Sequence, residues 1–381
     1  MTVTALARYE ATLAGLERKS RLRTLAPRQG IDFSSNDYLS LANCSRIAKA
    51  LTAAIERGIP AGSGGSRLLR GNHWVHEALE AEAAMMFGAE RVLYFGSGFS
   101  ANVALFSTLP QRDDLIVHDE LIHASVREGI LASKAESVAV AHNDIASFEA
   151  AIDHWRADGG IGSPWIAVES IYSMDGDRAP LAALAEVAAS RGGYLIVDEA
   201  HATGVFGPGG RGLASELRSQ SNVLTLHTCG KALGLSGALM GLPDVLARYM
   251  VNRARNFIYS TAPSPLMAAG VREALQIIGD EPERRERLDA LRDFLGDQLR
   301  SKLSITPSGS PIQPVIVGDN ARAVRIAARL QNDGFDIRAI RPPTVPDGTA
   351  RLRISLTLNV NKAQIAAMAS RLAVALEKDG A

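Results

Sequence analysis

The chain has 381 residues, 46% hydrophobic and 22% charged, with 41 Lys and Arg balanced by 41 Asp and Glu. That length supports a full-sized core and two or more lobes, while a net charge of zero argues against nucleic acid as the main partner, since phosphate binding asks for a basic excess. No apolar run approaches the ~20 residues that span a bilayer, and two cysteines, Cys44 and Cys229, without paired metal-ligand spacing read as reduced thiols of a cytosolic protein.

In chain order, MTVTALARYEATLAGLERKS reads as an amphipathic helix with Leu6, Tyr9, Leu13 and Leu16 on one face, rather than as a secretory signal. RVLYFGSG, DLIVHDE, SVAVAHND, PWIAVES, GYLIVDEA and VLTLHTCG then read as short buried strands. Between several of them lie helical patterns such as LAALAEVAASRG, with glycine after the last periodic residue. This alternation predicts an α/β fold whose mainly parallel sheet is covered by helices on both faces. Near residue 280 the pattern changes. A charged break leads into a long amphipathic helix in IIGDEPERRERLDALRDFLGDQLRSKL. The stretches IQPVIVGDN, ARAVRIAARLQNDG and ARLRISLTLN follow as strand, helix and strand, a smaller α+β lobe. The expected division is an N-terminal arm over 1–45, a large domain over 46–280 and a small domain over 281–381.

Ligands of such a sheet sit at the carboxyl ends of the strands. Those ends carry Gly98 and Phe99, His123, Ser173, Asp198 and His201, then Thr228 and Lys231. An amine, an acid, two histidines, hydroxyls and a glycine turn thus converge on one sheet edge. Pyridoxal phosphate chemistry needs such parts: a lysine for the Schiff base, a carboxylate for the pyridinium nitrogen, and backbone amides and hydroxyls for the phosphate. A lysine in a partly apolar pocket also has its pKa lowered, which suits a nucleophile and base.

Other motif readings are weaker. LHTCGKALGLSGAL is not a Walker loop, because position 225 is Thr225 and Ala232 follows Lys231. DEAH lacks the Walker loop of a helicase, and HDELIH lacks the Glu directly after its first His that a zinc protease requires. No metal site is expected. GSGGSR (62–67) reads equally as a phosphate cradle or a plain turn.

Ten segments carry a specific resemblance: DFSSNDYLSL, GSGGSRLLRGN, GSGFSAN, HASVREG, ESIYSMDGDRAPL, VDEAHATGVFGPGGRG, GKALGLSGA, FIYSTAP, IQPVIVGDN and AIRPPTVPDGTARLRISLT. In this order the chain resembles the α-oxoamine synthases, pyridoxal-phosphate enzymes of fold type I. The last two segments favour the branch that condenses L-alanine with a pimeloyl thioester in biotin synthesis. The chain departs from the family pattern at Glu199 and Ala202, beside the site.

The resemblance implies roles. Lys231 would form the Schiff base, Asp198 would pair with the pyridine nitrogen, and His123 would stack on the ring and orient substrate. Ser173 and His201 would lie near the ring hydroxyl. Gly98, Phe99 and Thr228 would bind the phosphate, with Thr261 reaching the phosphate of a partner subunit in a homodimer. Asn36 and Arg353 would grip the amino-acid carboxylate, Thr344 would line the substrate pocket and Arg23 would meet the acyl substrate. The expected acyl donor is pimeloyl-CoA or pimeloyl-acyl carrier protein. The nearest rivals are glycine C-acetyltransferase and other α-oxoamine synthases. A plain aminotransferase is disfavoured by matches at both ends of the chain. A non-catalytic scaffold is disfavoured by the presence of Lys231.

Overall fold

The computed structural model describes residues 5–379. They form two compact units. The larger comprises residues 37–173 and 177–286; the smaller gathers the segment ending at Asn36, Met174–Gly176, and the chain from Arg287 onward.

The larger unit is built on a seven-stranded sheet: β1 (Arg91–Phe95), β2 (Leu115–Asp119), β3 (Glu136–Val140), β4 (Pro164–Glu169), β5 (Tyr194–Asp198), β6 (Val223–Thr228) and β7 (Ala238–Leu242), in the order β1-β7-β6-β5-β4-β2-β3. The six strands expected from sequence are β1 to β6. The links β6 to β5, β5 to β4, β4 to β2 and β2 to β3 are parallel, as expected. The seventh strand is an addition to that expectation. β7 runs antiparallel to both β1 and β6, and its ALMGL sequence looks like the tail of a glycine-rich loop.

Successive β5 residues face opposite ways and both ways are apolar. Ile196 joins one buried cluster with Leu93, Ile116, Trp165, Leu226 and Met240. Leu195 and Val197 join another with Val117, Ile166 and Val168. The helix Gly98–Thr108 packs into the first cluster, and the helices Ile145–Ala157 and Leu181–Ser190 into the second. A strand covered on both faces must be apolar throughout, which is why β4 and β5 read as continuous runs. β3 corrects the expectation of a buried strand: it is the edge of the sheet, with Glu136, Ser137 and Ala139 exposed and only Val140 buried.

The smaller unit carries the antiparallel sheet β9-β10-β8, from β8 (Ile312–Gly318), β9 (Arg338–Ile340) and β10 (Ala350–Ser355). Its helices are Glu283–Leu303, which belongs to it from Arg287 onward, Asn320–Asn332 and Lys362–Lys378. Leu288, Leu291, Leu295 and Leu299 form the buried stripe of the first, at the three- and four-residue spacing of a helix face. The N-terminal helix spans Ala7–Arg18 and buries no residue; Leu6, Tyr9, Leu13 and Leu16 are all exposed. Among the described residues no helix is long and apolar enough to cross a membrane.

Candidate active site

Lys231 lies in the loop that turns β6 back into antiparallel β7. The loop closes on itself: Cys229 N donates to Gly237 O at 2.9 Å, Leu235 N to Cys229 O at 2.9 Å and Gly234 N to Lys231 O at 2.8 Å. Its glycines answer to close approach. A Cβ on Gly234 would lie 2.3 Å from Ala42 N, and one on Gly237 would lie 2.4 Å from the Tyr94 ring, both at positive φ. Small residues around Lys231 therefore let the backbone pass its neighbours, and the amine is the reactive group the loop presents.

Lys231 Nζ is 2.7 Å from His201 Nε2, and His201 Nδ1 is 2.6 Å from the Tyr38 hydroxyl. An ammonium at Lys231 donates to Nε2. This puts the imidazole proton on Nδ1, where it donates to Tyr38. His201 follows β5 within the buried turn 199–203. Asp198, the last residue of β5, is buried. Its Oδ2 accepts from Asn102 Nδ2 at 2.8 Å and its Oδ1 from Ala200 N at 3.0 Å. These two donors hold the carboxylate as an acceptor.

Gly98 and Phe99 open the helix that follows β1, capped by the Ser97 hydroxyl bonded to Ser100 N at 3.1 Å. The first amides of a helix have no carbonyl to reach within it, so this end offers N–H groups and positive potential to an anion. Thr228, at the end of β6, lies beside it, with its Cβ 3.4 Å from where a Gly98 Cβ would stand. Ser173 is buried after β4, and its backbone N donates to Glu169 Oε2 at 3.0 Å. Complete burial, then the Asp198 charge, push Glu169 up to about 8.

The departure at Glu199 has a local cause. Its carboxyl accepts from the Ser170 hydroxyl at 2.6 Å and from Ala214 N, and burial pushes it up to about 7. Gly212 is the residue that leaves room, since a Cβ there would lie 2.7 Å from that carboxyl. Glu199 thus faces the 212–214 turn, and Ala202 is fully buried.

His123 caps the helix Ala124–Leu131, and its Nδ1 accepts from Ser125 N at 3.2 Å. Lost hydration lowers its basicity, and the Lys231 ammonium lowers it further against the pull of Asp198. Thr261 is exposed, in a segment fixed by the GSGGSR loop: Ala262 N donates to Gly65 O at 2.9 Å, and the Ser63 hydroxyl to Pro263 O at 2.6 Å. Arg67 of that loop forks onto Glu80 at 2.7 and 2.9 Å. The loop thus braces the Thr261 segment.

The smaller unit brings the four expected substrate residues together in two pairs. Arg353 Nη2 donates to Asn36 Oδ1 at 3.0 Å, and Arg23 Nη2 to the Thr344 hydroxyl at 3.0 Å. Arg353 is buried and also donates to the Ser355 hydroxyl at 2.5 Å. Three residues in the larger unit are added by the structure and not singled out by the sequence: Tyr38, Asn102 and Ser125. They stand inside the family-like segments DFSSNDYLSL, GSGFSAN and HASVREG, but a buried Tyr, Asn or Ser carries no periodic signal.

An amine on a constrained loop, a carboxylate held as an acceptor and an open helix N-terminus within one unit form a donor set that fits pyridoxal phosphate: aldehyde, ring nitrogen and phosphate. The aminotransferase class I and II model matches residues 28–372. The 8-amino-7-oxononanoate synthase of Chromobacterium violaceum is 40% identical over 369 residues, covering 93% of this chain and 95% of that protein. Among solved structures, 8-amino-7-oxononanoate synthase from Francisella tularensis is 28% identical with TM-score 0.79, covering 92% of this chain and 99% of its own. The fold is also that of serine palmitoyltransferase from S. paucimobilis, solved with a bound PLP-myriocin aldimine: TM-score 0.88, 23% identity, covering 100% of this chain and 99% of that one.

Proposed function

The chain belongs to the class I and II aminotransferase family and, within it, to the 8-amino-7-oxononanoate synthases, and from that premise we propose which residues carry the reaction. The reaction is the pyridoxal-phosphate-dependent condensation of L-alanine with a pimeloyl thioester. It yields 8-amino-7-oxononanoate, carbon dioxide and the free thiol, in biotin synthesis. The observation that carries the residue assignment is Lys231 Nζ at 2.7 Å from His201 Nε2, on the same unit as the held Asp198 carboxylate.

When bound, pyridoxal phosphate supplies an electron sink next to the carbon that loses first a proton and later carbon dioxide. Lys231 Nζ is the covalent anchor for the cofactor's aldehyde carbon. Nζ would also be the base that takes the Cα proton of bound alanine and returns one after decarboxylation. His201, braced by Tyr38, accepts from Nζ and sets its direction. Asp198 keeps the ring nitrogen protonated. Gly98, Phe99 and Thr228 would hold the phosphate, Ser173 and His201 would serve the ring hydroxyl, and His123 would stack on the ring and orient substrate. Arg353 and Asn36 hold the alanine carboxylate, because a guanidinium fork suits that group. Thr344 lines the substrate pocket and Arg23 meets the acyl substrate. We place the enzyme in the cytosol as a homodimer in which Thr261 reaches the partner's phosphate; its cysteines are free thiols.

The test is thiol release by the pyridoxal-phosphate-loaded protein, with pimeloyl-CoA and L-alanine against acetyl-CoA and glycine. Preference for the first pair is expected. Preference for the second would overturn the acyl assignment. Lys231→Ala is expected to lose both the Schiff-base absorbance and turnover, and substantial residual turnover removes Lys231 from its role.

A further inference from the structure

Asn102 and Ser125 are each 1% exposed and sit between two of the proposed site residues. Asn102 Nδ2 is 2.8 Å from Asp198 Oδ2 and 2.9 Å from Ser125 Oγ, and Ser125 Oγ is 2.8 Å from His123 Nδ1. The direction of each bond follows from the carboxylate. Asp198 only accepts, so the NH2 of Asn102 must face it; the flipped amide would set oxygen against oxygen at 2.8 Å. The second N–H of the same NH2 then points at Ser125 Oγ, which accepts. The Ser125 hydroxyl proton is left to donate onward to His123 Nδ1, a nitrogen that already accepts from Ser125 N at 3.2 Å. Two donors aimed at Nδ1 leave no place for a proton there.

Asn102 Oδ1 is buried and finds no partner among the described residues. An asparagine kept in the core with its carbonyl unsatisfied is a poor packing choice, where an apolar side chain of the same shape does better. What the position retains is the NH2, with both hydrogens used.

We propose that Asn102 and Ser125 are positioning residues that lock His123 as the Nε2–H tautomer and tie its ring to the Asp198 carboxylate. One amide thus serves both faces of the chemistry: it holds Asp198 as an acceptor for a ring-nitrogen proton, and it turns the His123 Nε2–H, the free end of the ring, outward as a donor for substrate. Outer hydrogen-bond partners of this kind fix tautomer and orientation. The proposal rests on the site assignment given above.

The test uses the full chain with 15N-labelled histidine and long-range proton–nitrogen correlation spectra, the His123 signals being identified by their loss in His123→Gln. His123 in the wild-type chain is expected as Nε2–H. Ser125→Ala and Asn102→Leu are expected to shift its Nδ1 signal toward a mixed tautomer, and Ser125→Thr, which restores the hydroxyl, to keep it. In the loaded enzyme, Ser125→Ala and Asn102→Leu are expected to lower kcat by about tenfold with KM for L-alanine little changed. A wild-type Nδ1–H tautomer, or unmoved His123 signals in both variants, would overturn the proposal. The spectra read His123 without substrate, so failure of the thiol-release assay would overturn the acyl assignment and leave the tautomer result intact.

Discussion

Arg353 is 7% exposed, with one guanidinium nitrogen on Asn36 and another on Ser355. A planar fork held at two points is already set for a carboxylate, whereas an ammonium presents a single mobile point charge. Arg353→Lys keeps the charge and loses the fork. The expected outcome is a KM for L-alanine raised about tenfold or more, from one lost charge-assisted bond of ~1.5–3 kcal/mol, in steady-state kinetics. An unchanged KM would place the amino-acid carboxylate elsewhere. Asp198→Asn replaces an acceptor by an amide that cannot keep the ring nitrogen protonated, so weak cofactor binding and stalled proton abstraction are expected. Normal rates of Cα exchange with deuterium would exclude Asp198 from that role.

At the scale of elements, the β6–β7 turn decides where the amine stands. Gly237 has φ of 115°, and an added Cβ would press on the ring of Tyr94, a buried side chain whose hydroxyl donates to Ser236 O at 2.9 Å. Neither partner has room to retreat. Gly237→Ala is therefore expected to destabilise the larger unit by ~2 kcal/mol or more, seen as a lower urea midpoint, and to lower turnover with it by displacing Lys231. A variant with the parent's midpoint would show that the turn yields. The central strands β4 and β5 are legible in the sequence because they are apolar on both faces, whereas the edge strand β3, ESVAV, is largely exposed and is legible only from Val138 and Val140. β7 is not legible, because Ala, Met and Gly carry little strand preference and only its two antiparallel neighbours make it a strand. The Ala7–Arg18 helix is the reverse case: its periodicity is legible, yet its apolar residues bury nothing within the described structure.

At the scale of the whole molecule, buried ionisable groups of the larger unit set a pH profile of stability. Burial pushes His76 down to about 4 and His227 to about 3. A depressed histidine is held neutral in the fold, so its contribution is lost as pH falls from 6.5 through those values. Glu169 and Glu199 are raised by burial to about 8 and about 7, and their contribution is lost as pH rises from 4.5 through those values. His142 extends the alkaline limb. Burial lowers it, but hydrogen bonds to Asp119 at 2.9 Å and Asp177 at 2.8 Å outweigh that and raise it to about 10. That stability is full below pH 6.5 and declines as pH rises to about 10. Between about pH 4.5 and 6.5 the histidine and glutamate effects oppose each other. Urea midpoints taken from about pH 3 to 10 are expected to show a broad maximum near that window, falling on both sides. His142→Gln should flatten the limb from 6.5 to about 10, and an unchanged slope there would exclude His142 as its source.

The sequence by itself determined the fold class, the positions of six strands along the chain and which residues stand at their carboxyl ends, because those follow from local patterning and from turn glycines that a backbone cannot do without. Its ordered motifs also carried the family. Tertiary structure alone decided which polar side chains meet. Asn102, Ser125 and Asp198 are far apart in the chain, and a hydrogen bond between buried polar groups depends on distance and direction that no single segment encodes. The same holds for Glu199, whose extra length is accommodated only because Gly212 leaves it room.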